Sequence, residues 1–308
     1  MLSFTAGAAL AQGKEGRIIV GNQPGGATDI VARLVAPRLA QALGHPFVVE
    51  NKAGASGNIA ADAVAKAPPD GNTLLLVFNS HPMIGALFPK LPFDPIKDFA
   101  SIGLISQSPY LVVAKPDIGV EDLKQAVERS KQTKKPLFMG SPGRATPQHL
   151  MMERLRKEEG VDVEVVHYKG TGPAIADVMG GHADFTMATI SAAGSHVKAN
   201  KVKLLAVTAD KRLGDFPNAP TASELGLKSI AGSGVWVALL APAKTPPAVV
   251  ERLNRILNDA LKTPEVAERL ASIGMTSLGG KPQELDRLML QEQKVWSSLI
   301  RELKITPE

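Results

Sequence analysis

Three stretches of the chain repeat one arrangement, a turn rich in Gly and Pro, with hydroxyl side chains, placed where a helix is expected to begin. They are residues 23–29 (QPGGATD), 141–147 (SPGRATP) and 168–173 (YKGTGP). Glycine lets a backbone approach a ligand closely. The first N–H groups of a helix have no partner within the helix and carry a partial positive charge. The three turns therefore predict the binding of an anion.

Each turn also has a plainer interpretation. In the first, Gly25 and Gly26 would let the loop pass beneath a ligand, but Thr28 or Asp29 could simply cap the helix. In the second, Thr146 stands before Pro147 as an N-cap stands before the first helical residue. The residues alone leave both interpretations open.

Further residues of the turns could contact an anion. Ser141 offers a hydroxyl and Arg144 a charge partner for a carboxylate. Tyr168, Lys169 and Gly170 offer a phenol, a cation and a flexible backbone in the third turn. A fourth polar turn, 79–82, follows an apolar strand, and a fifth, 54–58, is interpreted as structural.

Signatures of catalysis are absent from the sequence. It contains no phosphate-binding loop, dinucleotide fingerprint, nucleophile elbow or H-E-x-x-H zinc motif. Its six histidines lack ligand spacing, and with no cysteine there are no disulfides, thiolate nucleophiles or Cys-ligated metals. We predict no catalytic residue, no metal and no cofactor, while a carboxylate pair that meets only in space stays open.

The composition limits the kinds of partner that the chain is expected to bind. A net charge of +5 favours acidic small molecules, whereas an aromatic content of 4% argues against a stacking surface for single-stranded nucleic acid. The densest basic patch, 131–135, is typical of a solvated loop. No later stretch reaches about 18 apolar residues, so we expect no nucleic-acid partner and no membrane-embedded segment.

The first residues predict export. Residues 1–11 are small and apolar and end in Ala9-Leu10-Ala11, the small-x-small pattern of a signal-peptide cleavage site. We interpret 1–12 as a residual signal-peptide segment, although the basic start of such a peptide is missing. An apolar terminus without that role is the alternative.

Short apolar runs alternate with helical patterns, which predicts an α/β fold with parallel sheets. The expected strands are 17–20, 73–78, 110–114, 137–140, 163–167, 185–188, 204–208 and 235–240. The expected helices are 29–43, bent or divided by Pro37, then 147–159, 172–180 and 190–199, with three packing helices after 247.

Turn residues suggest where the chain passes between two halves. Residues 115–119 follow one strand and 231–234 precede another. We therefore predict one discontinuous lobe, 13–114 with 232–308, and a second lobe, 115–231. The first turn would then face the other two across a cleft.

Several blocks, in order, resemble the Bug (TctC-like) extracytoplasmic solute receptors. The blocks are 24–34, 49–59, 140–150, 167–174, 204–208 and 216–221. The likeness extends from about residue 15 to the end. Ahead of the first glycine pair the family usually has an aromatic or apolar residue, where this chain has Gly21-Asn22-Gln23.

The resemblance implies a type II periplasmic-binding-protein fold, two α/β lobes joined by a two-strand hinge with the ligand cleft between them. It also implies capture of a small organic carboxylate by lobe closure and delivery to membrane subunits of a tripartite tricarboxylate-type transporter. Transferred by motif position, it nominates as ligand-binding residues Gly25, Gly26, Thr28, Asp29, Ser141, Thr146, Tyr168, Lys169 and Gly170, with Asn79 and Ser80 on a more variable side of the cleft.

The sequence therefore predicts a periplasmic, non-enzymatic receptor. Two other functions stay open. One is an enzyme of the same fold in which Asp29 or His149 acts as acid or base, and the other is a ligand-dependent regulator or sensor co-receptor.

Overall fold

One long strand connects two β-sheets in the computed structural model, which describes residues 15–307. The strands of the described chain are β1 (Gly16–Val20), β2 (Phe47–Asn51), β3 (Thr73–Phe78), β4 (Phe99–Ala114), β5 (Leu137–Ser141), β6 (Val163–His167), β7 (Phe185–Thr189), β8 (Lys203–Val207), β9 (Gly234–Pro242) and β10 (Thr276–Ser277). The first sheet has the order β2-β1-β3-β9-β4, with β10 on β4. The second continues from the far end of β4 as β7-β5-β6, and β8 also pairs with β4.

The expected strands are all present, with ends that differ by a few residues. The largest difference is β4, which begins at Phe99 and not at residue 110, and β2 and β10 were not predicted. Pairing is parallel among β1, β2 and β3 and among β5, β6 and β7. The predicted parallel pairing is therefore present in both sheets, whereas β4 and β9 run antiparallel to each other and to their neighbours.

Helices cover the faces of both sheets. They are α1 (Ala27–Leu43), α2 (Asn58–Ala65), α3 (Ile84–Leu87), α4 (Leu123–Thr133), α5 (Pro147–Glu159), α6 (Thr171–Met179), α7 (Ile190–Lys198), α8 (Pro247–Leu261), α9 (Pro264–Ser272) and α10 (Pro282–Glu302). The helix α1 continues through Pro37 as one element. Its face of Val31, Val35 and Leu39 is fully buried, and this packing holds the helix together where the proline removes one hydrogen bond.

The two sheets meet where β4, β9 and the segment after β8 come together. The Tyr110 amide donates to Thr208 Oγ1 at 2.8 Å, and the Gly232 amide donates to the Thr208 carbonyl at 2.7 Å. Pro109 of β4 lies opposite Gly234 of β9 in this register. These crossings lie beside the predicted lobe boundaries at 115 and 231, which remain a prediction.

The last helix, α10, packs against both halves of the molecule. Leu285 and Met289 join a core with the first sheet, whereas Trp296 and Ile300 join the core built on α4, α5 and the second sheet. Beyond α10 the chain turns through a left-handed residue and buries Ile305 in that second core. The segment predicted as signal peptide, 1–12, lies outside the described residues.

Candidate functional site

A cavity of about 420 Å³ opens between loops that follow strands of both sheets. Four segments and one further residue contribute to its wall. They are 21–23, 53–57 without Ala55, Phe78, Ser80, Ile84 and Leu87 from 78–87, then 144–147 and Pro307. The volume is typical of sites for small molecules. Because loops of both halves contribute, a ligand here would touch both at once.

The wall combines an apolar surface with a single charge. Phe78, Ile84 and Leu87 supply hydrocarbon, and Arg144 is the one charged side chain among the described residues of the wall. Arg144 is exposed and forms no ion pair among those of the described chain. A free guanidinium fits a carboxylate with two parallel hydrogen bonds. The cavity therefore favours an acid with an apolar body.

The loop between β2 and α2 forms part of this wall. Four consecutive residues, Gly54, Ala55, Ser56 and Gly57, have φ values of +130°, +47°, +57° and +88°. For Ala55 and Ser56 this backbone costs roughly 1–2 kcal/mol each, and such strain clusters at functional sites. This stretch was predicted from the sequence to be structural, although the two glycines that flank it indicate a backbone with positive φ values.

The first predicted turn supports the wall from behind. The Asp29 carboxylate accepts hydrogen bonds from the Gly25 amide, Arg33 Nε and Asn51 Nδ2, each at 3.0 Å. The hydrogen bond from Arg33 is the main cause that lowers the pKa of Asp29 to about 2, against the opposing effect of burial. The side chain is 5% exposed and does not line the cavity, so its carboxylate organises the loop.

Gly25, Gly26, Thr28 and Asp29 are thus not among the residues that line the cavity. The residues just before them, 21–23, do line it. Asn22 lines the cavity, and the Thr28 hydroxyl donates to its Oδ1 at 3.4 Å. Asn22 belongs to the stretch 21–23, where the resemblance to the family indicated a departure from the usual pattern.

The second turn reaches the cavity directly. Thr146 lines it and caps α5, since its Oγ1 accepts from the His149 amide at 3.3 Å and donates to the Gly143 carbonyl at 2.8 Å. Ser141 is fully buried and donates to the same carbonyl, so it shapes the turn from within. Ala145, also in the wall, has a left-handed φ of +57°.

The third turn is joined to the second by backbone hydrogen bonds. The amides of Tyr168 and Gly170 donate to the carbonyls of Ser141 and Pro142, both at 2.9 Å. The Tyr168 hydroxyl donates to Asp177, and burial together with this carboxylate raises its pKa to about 12. Tyr168, Lys169 and Gly170 therefore lie beside the second turn and outside the cavity wall.

The fourth turn divides between two roles. Ser80 lines the cavity, whereas Asn79 is buried and donates to the Gly234 carbonyl at 2.9 Å, at the crossing of the two halves. Of the residues predicted to bind ligand, Ser80 and Thr146 line the cavity in this structure. Asn22, Ser56 and Ala145 were not predicted from the sequence, and Arg144 was predicted only as a possible charge partner for a carboxylate.

Comparisons with known proteins agree with this architecture. The sequence profile described as "Tripartite tricarboxylate transporter family receptor" matches residues 31–305. The chain belongs to this family. The receptor family, and the prediction made from the Bug-like blocks, are therefore confirmed.

Relatives extend the likeness to almost the whole chain. The chain is 32% identical to BugT of Bordetella pertussis over 288 residues, which is 93% of this chain and 88% of that protein. It is similar to the solved structure of MatC from Rhodopseudomonas palustris with bound malate, with a TM-score of 0.74, 32% identity, and coverage of 93% and 99% of the two chains. The structure of R. palustris Rpa4515 with adipate has a TM-score of 0.78, 29% identity, and coverage of 97% and 100%. The two-lobed α/β solute-binding fold is thus confirmed.

Residues 15–307 contain neither a candidate metal site nor a candidate membrane-spanning helix. Among residues 15–307, no group of three or more His, Asp or Glu side chains is placed to hold a metal ion. Within the same residues, no helix has the length and apolar character needed to cross a membrane.

Proposed function

We propose that this receptor binds a small organic carboxylate in the cavity between its two halves and delivers it to the membrane subunits of a tripartite tricarboxylate-type transporter. The observation that carries the proposal is the cavity wall, in which Arg144 is the one charged side chain among the described residues and is accompanied by an apolar surface. The malate and adipate bound by relatives of the same family support this choice of ligand class.

The proposed binding mode follows from the wall. Arg144 and the Ser80 hydroxyl would hold the carboxylate, and Phe78 and Leu87 would pack on the hydrocarbon. Thr146 would line the site while its hydroxyl donates to the Gly143 carbonyl. Because these residues come from both halves, the ligand stabilises the arrangement in which the halves are close together. The lobes are proposed to be 13–114 with 232–308, and 115–231.

Binding without turnover is part of the proposal. A carboxylate with a pKa of about 2, as in Asp29, is a weak base at neutral pH. His149 Nδ1 already accepts a backbone hydrogen bond at 3.0 Å, so it is not free to take a proton from a substrate. The proposed location is the periplasm, after removal of the segment 1–12.

A titration with a matched pair of variants tests the function. Protein purified without refolding is titrated calorimetrically with mono-, di- and tricarboxylates, malate and adipate included, and with nucleotides and sugars for comparison. Arg144→Gln should weaken binding of the best acid by about tenfold or more, since a charge-assisted hydrogen bond is worth about 1.5–3 kcal/mol.

Lys169→Gln is the control, because it removes a positive charge from a neighbouring turn that does not line the cavity. It should bind as the wild type does. Binding of a nucleotide or sugar but of no carboxylate would refute the proposed function, and equal losses in both variants would refute the proposed role of Arg144.

A further inference from the structure

A buried histidine lies directly behind the cavity wall. His149 is on the first turn of α5 and is 5% exposed. Its Nδ1 lies 3.0 Å from the amide nitrogen of Ala145. A backbone amide can only donate, so Nδ1 must accept, and the neutral ring carries its proton on Nε2.

The residue at the other end of this hydrogen bond is under backbone strain. Ala145 has a φ of +57°, a conformation that residues other than glycine rarely adopt. It is 7% exposed, and it lines the cavity between Arg144 and Thr146. Such a conformation persists where its surroundings hold it, and the acceptor on His149 is the side-chain partner of this amide.

The other side of the ring faces an acidic group. Nε2 lies 3.6 Å from Glu153 Oε1, and Arg156 lies 2.9 Å from Glu153 Oε2. Burial raises the pKa of Glu153, but the opposing effects of His149 and Arg156 are together larger, so the pKa lies below its usual value. This carboxyl is therefore ionised at neutral pH. The proton on Nε2 therefore lies near an anion, which favours the same tautomer that the Ala145 amide requires.

The remaining neighbours complete the surroundings of the ring. From β6, His167 packs edge-on at 4.6 Å between ring centroids, and Glu164 lines the same surface depression as His149. From the turn itself, Arg144 borders both this depression and the cavity. The segment after α10 contributes the apolar Leu303 and Ile305.

We propose that His149 is a positioning residue, which holds Ala145, and with it Arg144 and Thr146, in the geometry that ligand binding needs. Without the acceptor on His149, the Ala145 amide would lose the side-chain partner that holds its left-handed backbone. Ligand affinity therefore depends on His149, although this side chain does not line the cavity. This step rests on the proposed function, whereas the positioning of residues 143–146 is measurable without ligand.

The first test uses the full-length protein without ligand. In deuterated, ¹⁵N-labelled protein at pH 8, a coupling across the hydrogen bond between the Ala145 amide and His149 Nδ1 is expected. His149→Leu removes the acceptor, and His149→Asn is its matched control because Asn Oδ1 takes the place of Nδ1 in a side chain of nearly the same shape. Amide exchange at Ala145 and Thr146 should accelerate in the Leu variant by about tenfold relative to the Asn variant. Absence of the coupling, or equal exchange in the two variants, overturns the inference.

The second test measures affinity for malate and adipate by calorimetry at pH 8. His149→Leu should weaken binding by about fivefold to tenfold, and His149→Asn, which restores an acceptor for the Ala145 amide, should bind as the wild type does. Equal affinities of the Leu variant and the wild type, or equal losses in the Leu and Asn variants, overturn the positioning role. If neither acid nor any other carboxylate binds, the proposed function fails, while the ligand-free test still decides whether His149 holds the turn.

Discussion

Replacing Asp29 by Asn should destabilise the protein strongly, although the residue lies outside the cavity wall. Two donors, the Gly25 amide and Arg33 Nε, converge on Oδ2, and Asn51 Nδ2 donates to Oδ1. An amide in place of the carboxylate must turn its NH₂ towards at least one of these donors. Asn51 cannot rotate to compensate, because its Nδ2 also donates to the Asn22 carbonyl.

The shift in pKa sets the size of the effect. A fall from 3.8 to about 2 corresponds to about 2 kcal/mol of folding free energy at neutral pH. Because the Arg33 side chain is 53% exposed and its charge is screened by solvent, we expect about 1.5–2 kcal/mol for Asp29→Asn. The pKa is lower in the folded protein, so this stability is present above pH 3.8 and is lost as the pH falls towards 2.

Urea unfolding followed by the fluorescence of the two tryptophans measures the effect. At pH 7 the free energy of unfolding of Asp29→Asn should lie about 1.5–2 kcal/mol below that of the wild type, and the difference should be about half as large at pH 3. Asp259→Asn is the control, since that carboxylate is 77% exposed and has one lysine partner, and it should change stability by less than about 0.5 kcal/mol. A difference below 0.5 kcal/mol for Asp29→Asn, or one that does not narrow in acid, would refute this account of the turn.

Three further predictions concern stability. Burial raises the pKa of Glu292 from 4.5 to about 7, so ionisation of this carboxyl destabilises the fold as the pH rises from 4.5 through 7. Glu292→Gln should therefore be more stable than the wild type by about 1–2 kcal/mol at pH 8 and nearly equal to it at pH 5. Urea unfolding at both pH values measures the difference. A methyl group on Gly234 would lie 2.5 Å from the Ser108 carbonyl oxygen, so Gly234→Ala should destabilise the fold by about 1–3 kcal/mol and lower its melting temperature. An unchanged melting temperature would contradict the close approach of β4 and β9 at this position. Lys134, the C-cap of α4, has a left-handed φ of +53°, so Lys134→Gly should raise the free energy of unfolding by about 0.5–1 kcal/mol. Lys131→Gly, within the helix, should lower it. A change of the same sign in both variants would refute the capping argument.

Local patterns predicted most of the fold, and they failed where neighbours decide the structure. The front of β4 contains Ser101, Gly103 and Ser106, which interrupt the apolar run typical of a buried strand. These residues are nevertheless inside a sheet, because β9 and β10 pair with this part of the strand. That information lies more than a hundred residues further along the chain.

The candidate site shows the same division. The turns at 23–29 and 141–147 were correctly placed at the ends of strands, and both adjoin the cavity. Which of their side chains face a ligand depends on tertiary contacts. Asp29 faces inward because pairing of β1 with β2 brings Asn51 opposite Val20, close enough to hold the carboxylate. No local pattern around Asp29 contains that register.

The position of Pro307 in the cavity wall has a practical consequence for work with this protein. Ile305 anchors the segment after α10 in the core, and Pro307 lies in the cavity wall. An affinity tag attached at this residue would lie beside the cavity and would compete with small acids or screen them. A fluorescent dye attached there would instead sense their arrival, which makes residue 307 a poor place for a purification handle and a good one for a biosensor label.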